Sequence, residues 1–347
     1  MAEIMGFGLS HYPGPLVPVK HWPQNLLSNV EKGRIPREVF DDRSKWPAGM
    51  IAEWGSDQGQ AAAQTHARRL LDGYKELRRR IDQFKPDLLL IWGDDQYENF
   101  RKDGVPQFCT YIFDEIICKP FAGTSKGPFK TPENVWNVPS DMPLAVRGHH
   151  QAADGLIRHL IGDNFDVAYA FEARHDNGLS HAFVNTLVSL DLERRGFDYP
   201  VIPFHVNCYG SQMLMTAARQ KIMCPPSPNP GRCFDLGASI ASYFKNSPWR
   251  VALIGSSSWS HGSLTQKFQR LYPDLDADRQ RFEELKTNRF ALWKDASTRE
   301  LEDSGQNEFL NWVCLAGAMD HLDLKVDIVD YVESYVFNSS KCFASFA

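Results

Sequence analysis

The sequence predicts one α/β domain built on a central, mostly parallel or mixed β-sheet that is flanked by helices. Apolar, β-branched runs of strand length alternate along the chain with amphipathic helical patterns, which is typical of such sheets. No linker-like segment divides the 347 residues, so we expect a single domain over residues 1–347. Four of the apolar runs stop at polar residues, as strands do at the functional edge of an open α/β sheet. These polar residues are His11, Asp94-Asp95-Gln96, Asn207 and His261.

The elements follow one another in a regular order. The helix predicted over 58–84 has Ala, Leu and Ile at helical spacing, and Pro86 separates it from the next apolar run. Residues 121–143 and 224–232 are rich in Gly, Pro or Ser and are predicted to be loops. Predicted strands cover 3–10, 87–92, 105–117, 166–171, 199–206 and 249–254, and predicted helices cover 58–84, 150–161, 181–190, 213–217, 233–244, 274–296 and 307–319. Residues 323–336 and the C-terminal run FASFA are expected to complete the sheet.

Residues 12–55 differ from the rest of the chain. They are rich in Pro, Trp and charged residues and show only weak periodicity, with a short helical piece near 36–40. Because this stretch follows the first predicted strand end directly, we expect it to wrap the mouth of a site as a lid.

Composition and charge exclude several classes of function. The net charge is −5 and the sequence pI is about 6.1, whereas proteins that bind nucleic-acid backbones need a basic surface. No apolar run approaches the ~20 residues that span a bilayer, so we expect no membrane association. The seven cysteines include no close CxxC pair, and no secretory signal pattern is visible, which predicts a reduced cytoplasmic protein.

Common catalytic motifs are absent. The chain contains no GxxxxGK[ST] or GxGxxG phosphate-binding loop, no GxSxG nucleophile elbow and no HExxH zinc motif. Nucleotide-dependent enzymes, serine hydrolases of that type and zinc proteases of that type are therefore not favoured.

A dispersed set of imidazole and carboxylate groups remains. His11 follows an apolar strand, and Glu308 begins an apolar helix among core-like neighbours, where a buried carboxylate needs a cation or strong donors. One imidazole and one carboxylate with a third ligand begin the facial triad of non-haem Fe(II) sites. His261 is then a candidate acid or base, since imidazole titrates near neutrality. The structural alternatives are a turn-capping His11, a Glu308 that favours the helix dipole, and a His261 bonded to backbone.

In sequence order these segments resemble the class III extradiol ring-cleavage dioxygenases. The resemblance extends from residue 5 to about residue 320. Its motifs are GLSHYPG, KPDLLLIWGDDQYENF, HDNGLSHAF, PVIPFHVN, VALIGSSSWSHG and NEFLNWVCLAGAM.

The resemblance implies an Fe(II) site and two departures from the family pattern. It places the iron ligands at His11, Gln96 and Glu308 and the catalytic base at His261. The family has histidine at the second ligand position and in its DHG turn, where this chain has Gln96 and Asn177. Because an amide oxygen is usually a weaker ligand than imidazole, other residues are alternatives to Gln96. These alternatives are Asp94, Asp95, His175 and His181.

The resulting hypothesis is an Fe(II)-dependent dioxygenase that cleaves a catecholic or aminophenolic ring with O₂. His261 would transfer a proton, with His181 as a second catalytic residue, and Asn177 and His175 would contact the substrate. Trp259 and Tyr209 are candidate walls of an aromatic pocket, or alternatively core residues. A metal-dependent lyase or hydrolase and a metal-free binding protein are the other hypotheses. A homo-oligomer is expected because closed symmetric assemblies are common.

Overall fold

The computed structural model describes residues 3–101, 104–174, 178–209 and 225–347. Within those ranges the chain forms ten strands, ten α-helices and several short 3₁₀-helices. The strands are β1 (Ile4–Leu9), β2 (Leu88–Gly93), β3 (Phe108–Tyr111), β4 (Glu115–Cys118), β5 (Leu144–Arg147), β6 (Ala168–Ala170), β7 (Val201–Val206), β8 (Val251–Ser256), β9 (Val326–Val332) and β10 (Lys341–Phe346). The helices are α1 (Gln24–Glu31), α2 (Arg37–Asp41), α3 (Ala48–Trp54), α4 (Gln60–Phe84), α5 (His150–Gly162), α6 (His181–Leu190), α7 (Pro230–Lys245), α8 (Leu275–Lys286), α9 (Thr298–Asp303) and α10 (Leu310–His321).

Eight of the described strands form one mixed sheet, in the order β6-β3-β7-β2-β8-β1-β10-β9. Its centre is parallel, because β2 pairs in parallel with β7 and β8, and β1 pairs in parallel with β8. β10 and β9 add two antiparallel strands at one edge, so the C-terminal run returns to the sheet beside β1. The prediction of a single α/β domain with a mostly parallel or mixed sheet is confirmed.

The central strands are buried on both faces. In β2 every residue is buried, and alternate side chains enter two different apolar clusters, with Leu89 and Ile91 on one side and Leu90 and Trp92 on the other. A continuous apolar run is what a strand covered by helices on both faces requires. The first cluster includes residues of α1–α4 and α6, and the second includes residues of α5, α7 and α10.

Helices α7 and α10 cross at two glycines. A Cβ on Gly237 would lie 1.8 Å from the carbonyl oxygen of Cys314, and one on Gly317 would lie 1.9 Å from that of Phe234. The backbones can approach this closely only because neither glycine has a side chain. The contact fixes α10 against the sheet, and the 3₁₀-turn that precedes α10 carries Glu308.

Several predicted boundaries were wrong for local reasons. The strand predicted over 105–117 is two short strands, of which β3 joins the main sheet and β4 pairs with β5 in a separate two-stranded antiparallel sheet. The helix predicted over 274–296 ends at Lys286, because Asn288 adopts a left-handed conformation (φ 55°), and a 3₁₀-helix over Phe290–Asp295 follows. The helix predicted over 213–217 lies outside the described residues.

Residues 12–55 are more ordered than their weak periodicity indicates. They form α1, α2 and α3 with intervening 3₁₀-turns, and α2 covers the helical piece predicted near 36–40. Buried aromatic side chains attach this segment to the first apolar cluster, among them Trp22, Trp46 and Trp54. Packing rather than periodicity therefore determines its structure.

None of the described helices combines the length and the apolar character that a membrane-spanning helix needs.

Candidate metal centre and its cavity

A cavity of about 1140 Å³ opens beside the carboxyl ends of the parallel strands. Parallel strands present their carboxyl ends at the same edge, so the residues that follow each strand meet there. Of the predicted site residues, those that line this cavity are His11, Gln96, His181, Tyr209, His261 and Glu308.

The ring of His11 is held by a backbone carbonyl at Nδ1, and its Nε2 faces the carboxylates of the site. It follows β1, whose last residue pairs with Ser256 of β8, and only 3% of its surface is exposed. Its Nδ1 lies 2.9 Å from the Ser256 carbonyl oxygen, which requires a hydrogen on Nδ1. In the neutral ring, Nε2 then carries a lone pair, and a carbonyl that fixes the tautomer in this way is typical of metal-binding histidines. Nε2 lies 3.2 Å from Glu308 Oε2 and 3.5 Å from Asp94 Oδ1.

Glu308 is the centre of the charged groups. It is 1% exposed and lies in the 3₁₀-turn that precedes α10. Its Oε2 is close to two imidazole nitrogens, His11 Nε2 at 3.2 Å and His261 Nε2 at 3.3 Å. Its Oε1 accepts hydrogen bonds from the Gln96 amide at 3.1 Å and from the Tyr209 hydroxyl. Burial opposes ionisation, but His261 and His11 outweigh it and hold the pKa of Glu308 well below its usual range.

His261 is oriented by backbone groups. Its Nδ1 donates to the Trp259 carbonyl at 2.9 Å, so Nε2 points towards Glu308. Its backbone N–H donates to the Gly305 carbonyl at 2.9 Å, which ties the loop after β8 to the loop before α10. Burial favours the neutral ring, but the charge of Glu308 and the bond to Trp259 raise the pKa of His261. The ring is therefore held at the cavity with Nε2 beside Glu308.

A further group of potential metal ligands lies beside Glu308 and shares His11 with it. His11, Asp94 and His181 each offer one ligand atom, and these atoms lie within 4.8 Å of one another. His181 Nδ1 is 3.0 Å from Glu98 Oε1, and Glu98 also accepts the His181 backbone N–H. Burial disfavours the charged ring, but Glu98 and Asp94 raise the pKa of His181 to about 10. His181 is thus held as a cation unless another positive charge replaces its proton.

The donor set fits a divalent metal ion. Within the described residues neither oxygen of Asp94 accepts a hydrogen bond, and the polar neighbours of Glu308 Oε2 are the imidazole nitrogens of His11 and His261, although all three oxygens are buried. Burial and the charge of Glu308 raise the pKa of Asp94, as expected for two carboxylates that lie close together in a buried site. Unpartnered carboxylate oxygens beside an imidazole lone pair are expected where a cation is held. Nitrogen and oxygen ligands of this kind suit Fe(II), Mn(II) and Zn(II).

In the structure the side-chain amide of Gln96 is oriented as a hydrogen-bond donor, and its role as a metal ligand stays a prediction. Its amide nitrogen donates to Tyr209 Oη at 3.0 Å and to Glu308 Oε1 at 3.1 Å. An NH₂ group has no lone pair to offer a metal. The opposite amide orientation would set its oxygen against a carboxylate oxygen, so the donor orientation is favoured. Of the alternatives to Gln96, Asp94 and His181 lie in the cluster with His11.

The remaining predicted residues separate into three groups. Tyr209 lines the cavity and contacts Glu308. Trp259 does not line the cavity, which corrects its predicted place in the wall of an aromatic pocket. Its ring is 0% exposed and packs against Phe309 and Trp312, with ring centroids 5.6 and 5.4 Å apart, so it is a core residue. His175 and Asn177 lie outside the described residues.

Sequence reasoning missed two carboxylates that hold the site. Glu98 contacts His181, and the sequence indicated Glu98 only through the density of acidic residues in GDDQYENF. Asp278 of α8 is 0% exposed and accepts from the Ser260 N–H at 2.9 Å and from Gln306 Nε2 at 2.8 Å. It therefore connects the loop of His261 with the loop of Glu308. Its signal was an acidic residue three positions after the buried Leu275, on the apolar face of its helix.

The chain is similar in sequence to several known proteins. Curated relatives include two named 2,3-dihydroxyphenylpropionate/2,3-dihydroxicinnamic acid 1,2-dioxygenases. The one from Photorhabdus laumondii is 25% identical over 215 residues, which is 62% of this chain and 55% of that protein. The one from Dechloromonas aromatica is 26% identical over 244 residues, which is 68% of this chain and 64% of that protein. The chain thus spans less than two thirds of the length of either relative.

One solved structure, of an uncharacterized protein from Escherichia coli K12, aligns over 80% of this chain and 92% of its own. Its TM-score is 0.48 at 11% identity. The sequence profile of a protein family matches residues 54–343, and its description is the catalytic LigB subunit of aromatic ring-opening dioxygenase. That match covers most of the chain and includes Gln96, His181, His261 and Glu308. The chain therefore belongs to the LigB family of aromatic ring-opening dioxygenases.

Proposed function

We propose that this protein is an Fe(II)-dependent extradiol-type dioxygenase that opens a catecholic or aminophenolic ring with O₂. The observation that carries the proposal is the position of one carboxylate oxygen, Glu308 Oε2, between the Nε2 atoms of His11 and His261. One of these histidines is oriented as a ligand and the other as a proton acceptor. Family membership supports the same reaction class.

We propose that His11 and Glu308 hold the metal. Two residues are candidates for the third ligand. Asp94 is supported by its two unpartnered oxygens and its distance of 3.5 Å to His11 Nε2. Gln96 is supported by its place in the family pattern, although it would have to rotate its amide. Bound there, Fe(II) would supply Lewis-acid coordination for the adjacent oxygen or nitrogen donors of the ring and for O₂.

The protein's own side chains have separate roles in this proposal. His261 accepts the phenolic proton at Nε2, because its Nδ1 is occupied by the Trp259 carbonyl, and later returns it. His181, anchored by Glu98, places positive charge beside the reacting oxygens. Gln96 and Tyr209 fix the rotamer of Glu308 by donating to Oε1. Residues of the segment over 12–55 line one wall of the cavity. In this proposal the segment acts as a lid that would limit the entry of water.

Anaerobic loading with Fe(II), metal analysis and oxygen uptake with a panel of catechols and aminophenols test the proposal. We expect about one iron per chain and uptake with at least one ring. His261→Ala should retain iron and lose uptake, whereas His150→Ala, an exposed histidine on α5, should retain both. Iron binding without uptake of O₂ by any ring would favour a metal-dependent lyase or hydrolase instead. No metal binding would favour a metal-free binding protein.

Two substitutions separate the candidates for the third ligand. If Gln96 occupies the ligand position, Gln96→His should bind iron more tightly, because imidazole is the better ligand. If Asp94 does, Asp94→Asn should weaken iron binding at least tenfold. The readout is the dissociation constant for Fe(II) measured by anaerobic titration. Cytoplasmic location stays a prediction that cell fractionation would test. Homo-oligomerisation stays a prediction that size-exclusion chromatography would test.

A further inference from the structure

We propose that Glu53 and Lys341 are positioning residues for His261. They act through the turn over residues 334–340 (the Asn338 turn), which lies between β9 and β10 and contacts the loop after β8. This inference rests on the proposed function, because it concerns the group that the proposed reaction uses as a proton acceptor. Neither side chain lines the cavity, so both would act through the backbone that carries His261.

The Asn338 turn binds two consecutive N–H groups of the loop after β8. The Gly262 N–H donates to the Asn338 carbonyl at 2.6 Å, and the Ser263 N–H donates to Asn338 Oδ1 at 3.1 Å. His261 itself pairs with Ser339 as an isolated antiparallel bridge. Because these contacts begin at His261 and continue over the next two residues, a shift of the turn would move the backbone that carries the imidazole.

The turn has a conformation that its own backbone does not favour. The Ser339 N–H donates to the Phe337 carbonyl at 2.9 Å, which closes a three-residue turn with Asn338 at its centre. Asn338 is left-handed (φ 67°). A γ-turn with positive φ at its centre is rare and strained, although asparagine tolerates positive φ better than most residues. Such a conformation persists only where surrounding groups determine it.

Lys341 binds the carbonyl groups of the turn. Its Nζ donates to the Phe337 carbonyl at 2.8 Å and to the Ser339 carbonyl at 2.6 Å, which belong to the residues on either side of Asn338. The side chain is 0% exposed, and Nζ lies 3.9 Å from the centre of the Tyr12 ring. A buried amino group needs such partners, so Lys341 fixes both carbonyls around the strained residue.

Glu53 binds the donor groups of the turn. Its Oε2 accepts from the Tyr335 N–H at 2.7 Å and from the Val336 N–H at 3.1 Å. Its Oε1 accepts from the Ser334 hydroxyl at 2.6 Å. A carboxylate thus faces the N–H groups that enter the turn, whereas an amino group faces its carbonyls. Each end of the turn is therefore held by a group of the complementary charge.

The two groups also compensate each other's burial. Burial lowers the pKa of Lys341 well below its ordinary value, and the charge of Glu53 opposes this effect. Burial raises the pKa of Glu53, and its hydrogen bonds and the charge of Lys341 oppose that effect. Removal of one group would therefore leave the other buried with less compensation.

The segment over 12–55 consequently has a second role besides the proposed lid. Glu53 lies in α3 and precedes residue 54, where the family match begins. Helix α3 packs on the turn at Gly49, where a Cβ would lie 2.4 Å from the Tyr335 ring. The segment therefore supports the turn that contacts the loop of His261.

Two disruptive variants and one conservative variant test the proposal. Lys341→Met removes both N–H donors at nearly constant length, and Glu53→Leu removes all acceptors. Glu53→Gln is conservative, because its amide oxygen can accept from the two N–H groups while its NH₂ group donates to the Ser334 hydroxyl.

Two controls separate positioning from stability. Glu38→Leu is the matched change at an exposed position of α2 in the same segment. Leu156→Ala creates a cavity in the core at α5, where the side chain is 0% exposed and belongs to the second apolar cluster.

Two measurements are made on each protein. Amide hydrogen exchange of the metal-free protein, followed by mass spectrometry, reports on the N–H groups of Gly262 and Ser263 and needs neither metal nor reaction. Oxygen uptake by the Fe(II)-loaded protein, with the catechol or aminophenol that reacts fastest, gives kcat and KM.

In Lys341→Met and Glu53→Leu we expect exchange at Gly262 and Ser263 to be about tenfold faster than in the wild type. We expect kcat to fall by roughly tenfold to a hundredfold while KM changes by less than about twofold, because His261 moves relative to a ring that stays bound. Glu53→Gln should retain most of the wild-type protection and kcat. Glu38→Leu and Leu156→Ala should leave both unchanged, although Leu156→Ala lowers the stability.

Unchanged exchange at Gly262 and Ser263 in both disruptive variants would overturn the proposal. An equal loss of kcat in Leu156→Ala would also overturn it, because the effect would then follow stability alone. If the wild type takes up no O₂ with any ring, the proposed function fails, and hydrogen exchange alone decides whether Glu53 and Lys341 hold the loop of His261.

Discussion

Asp278→Asn should stabilise the protein at alkaline pH and have much less effect at acidic pH. Burial raises the pKa of Asp278 from 3.8 to about 7, and the hydrogen bonds from Gln306 and the Ser260 N–H only partly oppose this. Its Oδ2 has no hydrogen-bond donor among the described residues. Between these two values the folded protein retains the proton that the unfolded chain releases. The free energy of unfolding therefore falls as pH rises from about 4 to about 7.

The magnitude follows from the same values. From about pH 5 to the folded pKa is roughly two pH units, and each unit changes the free energy of unfolding by about 1.36 kcal/mol. The free energy of unfolding of the wild type therefore falls by roughly 3 kcal/mol between about pH 5 and about pH 8 through this group. Asparagine retains an acceptor oxygen for Ser260 and Gln306 and carries no charge at either pH. The difference between Asp278→Asn and wild type should therefore be roughly 3 kcal/mol more favourable at the higher pH.

Urea unfolding of the metal-free protein, followed by tryptophan fluorescence at both pH values, measures this difference. Asp276→Asn is the matched control, because its side chain on the same helix is 93% exposed. The control should change the stability equally at both pH values. If Asp278→Asn also shifts stability by the same amount at both, then Asp278 does not titrate differently in the folded protein and the reasoning is wrong.

Three further results are expected. Gly317→Ala should destabilise the protein by roughly 3 kcal/mol in thermal or urea unfolding, because the added Cβ would collide with the Phe234 carbonyl. The control Gly162→Ala should be neutral or slightly stabilising, because its Cβ would meet nothing within 4 Å. Glu308→Gln should weaken Fe(II) binding at least tenfold in anaerobic titration, and unchanged affinity would remove Glu308 from the ligand set. A thiol reagent should label at most one cysteine before unfolding, because six of the seven cysteines are buried and the seventh, Cys224, lies outside the described residues; rapid labelling of two or more would contradict the packing.

Predictions from the sequence succeeded where local pattern and burial agree. The β2 run is apolar throughout because helices cover both faces of the sheet, and the same composition identified it as a strand. The strand ends at His11 and His261 were visible for the same reason, since an apolar run has to stop where the polar edge of the sheet begins. Predictions failed over 105–117, where short strands belong to different sheets, because pairing partners are not local.

The site shows the same division. The sequence by itself determined the reaction family, through ordered motifs, and marked His11, His261 and Glu308 as candidates. Only the tertiary structure decided that Gln96 presents its NH₂ group to Glu308, that Asp94 is left with unpartnered oxygens, and that Trp259 belongs to the core. The physical reason is that spacing fixes which face of an element a side chain occupies. Its partners, its burial and therefore its charge depend on chain segments hundreds of residues away, such as the 212 residues that separate Gln96 from Glu308.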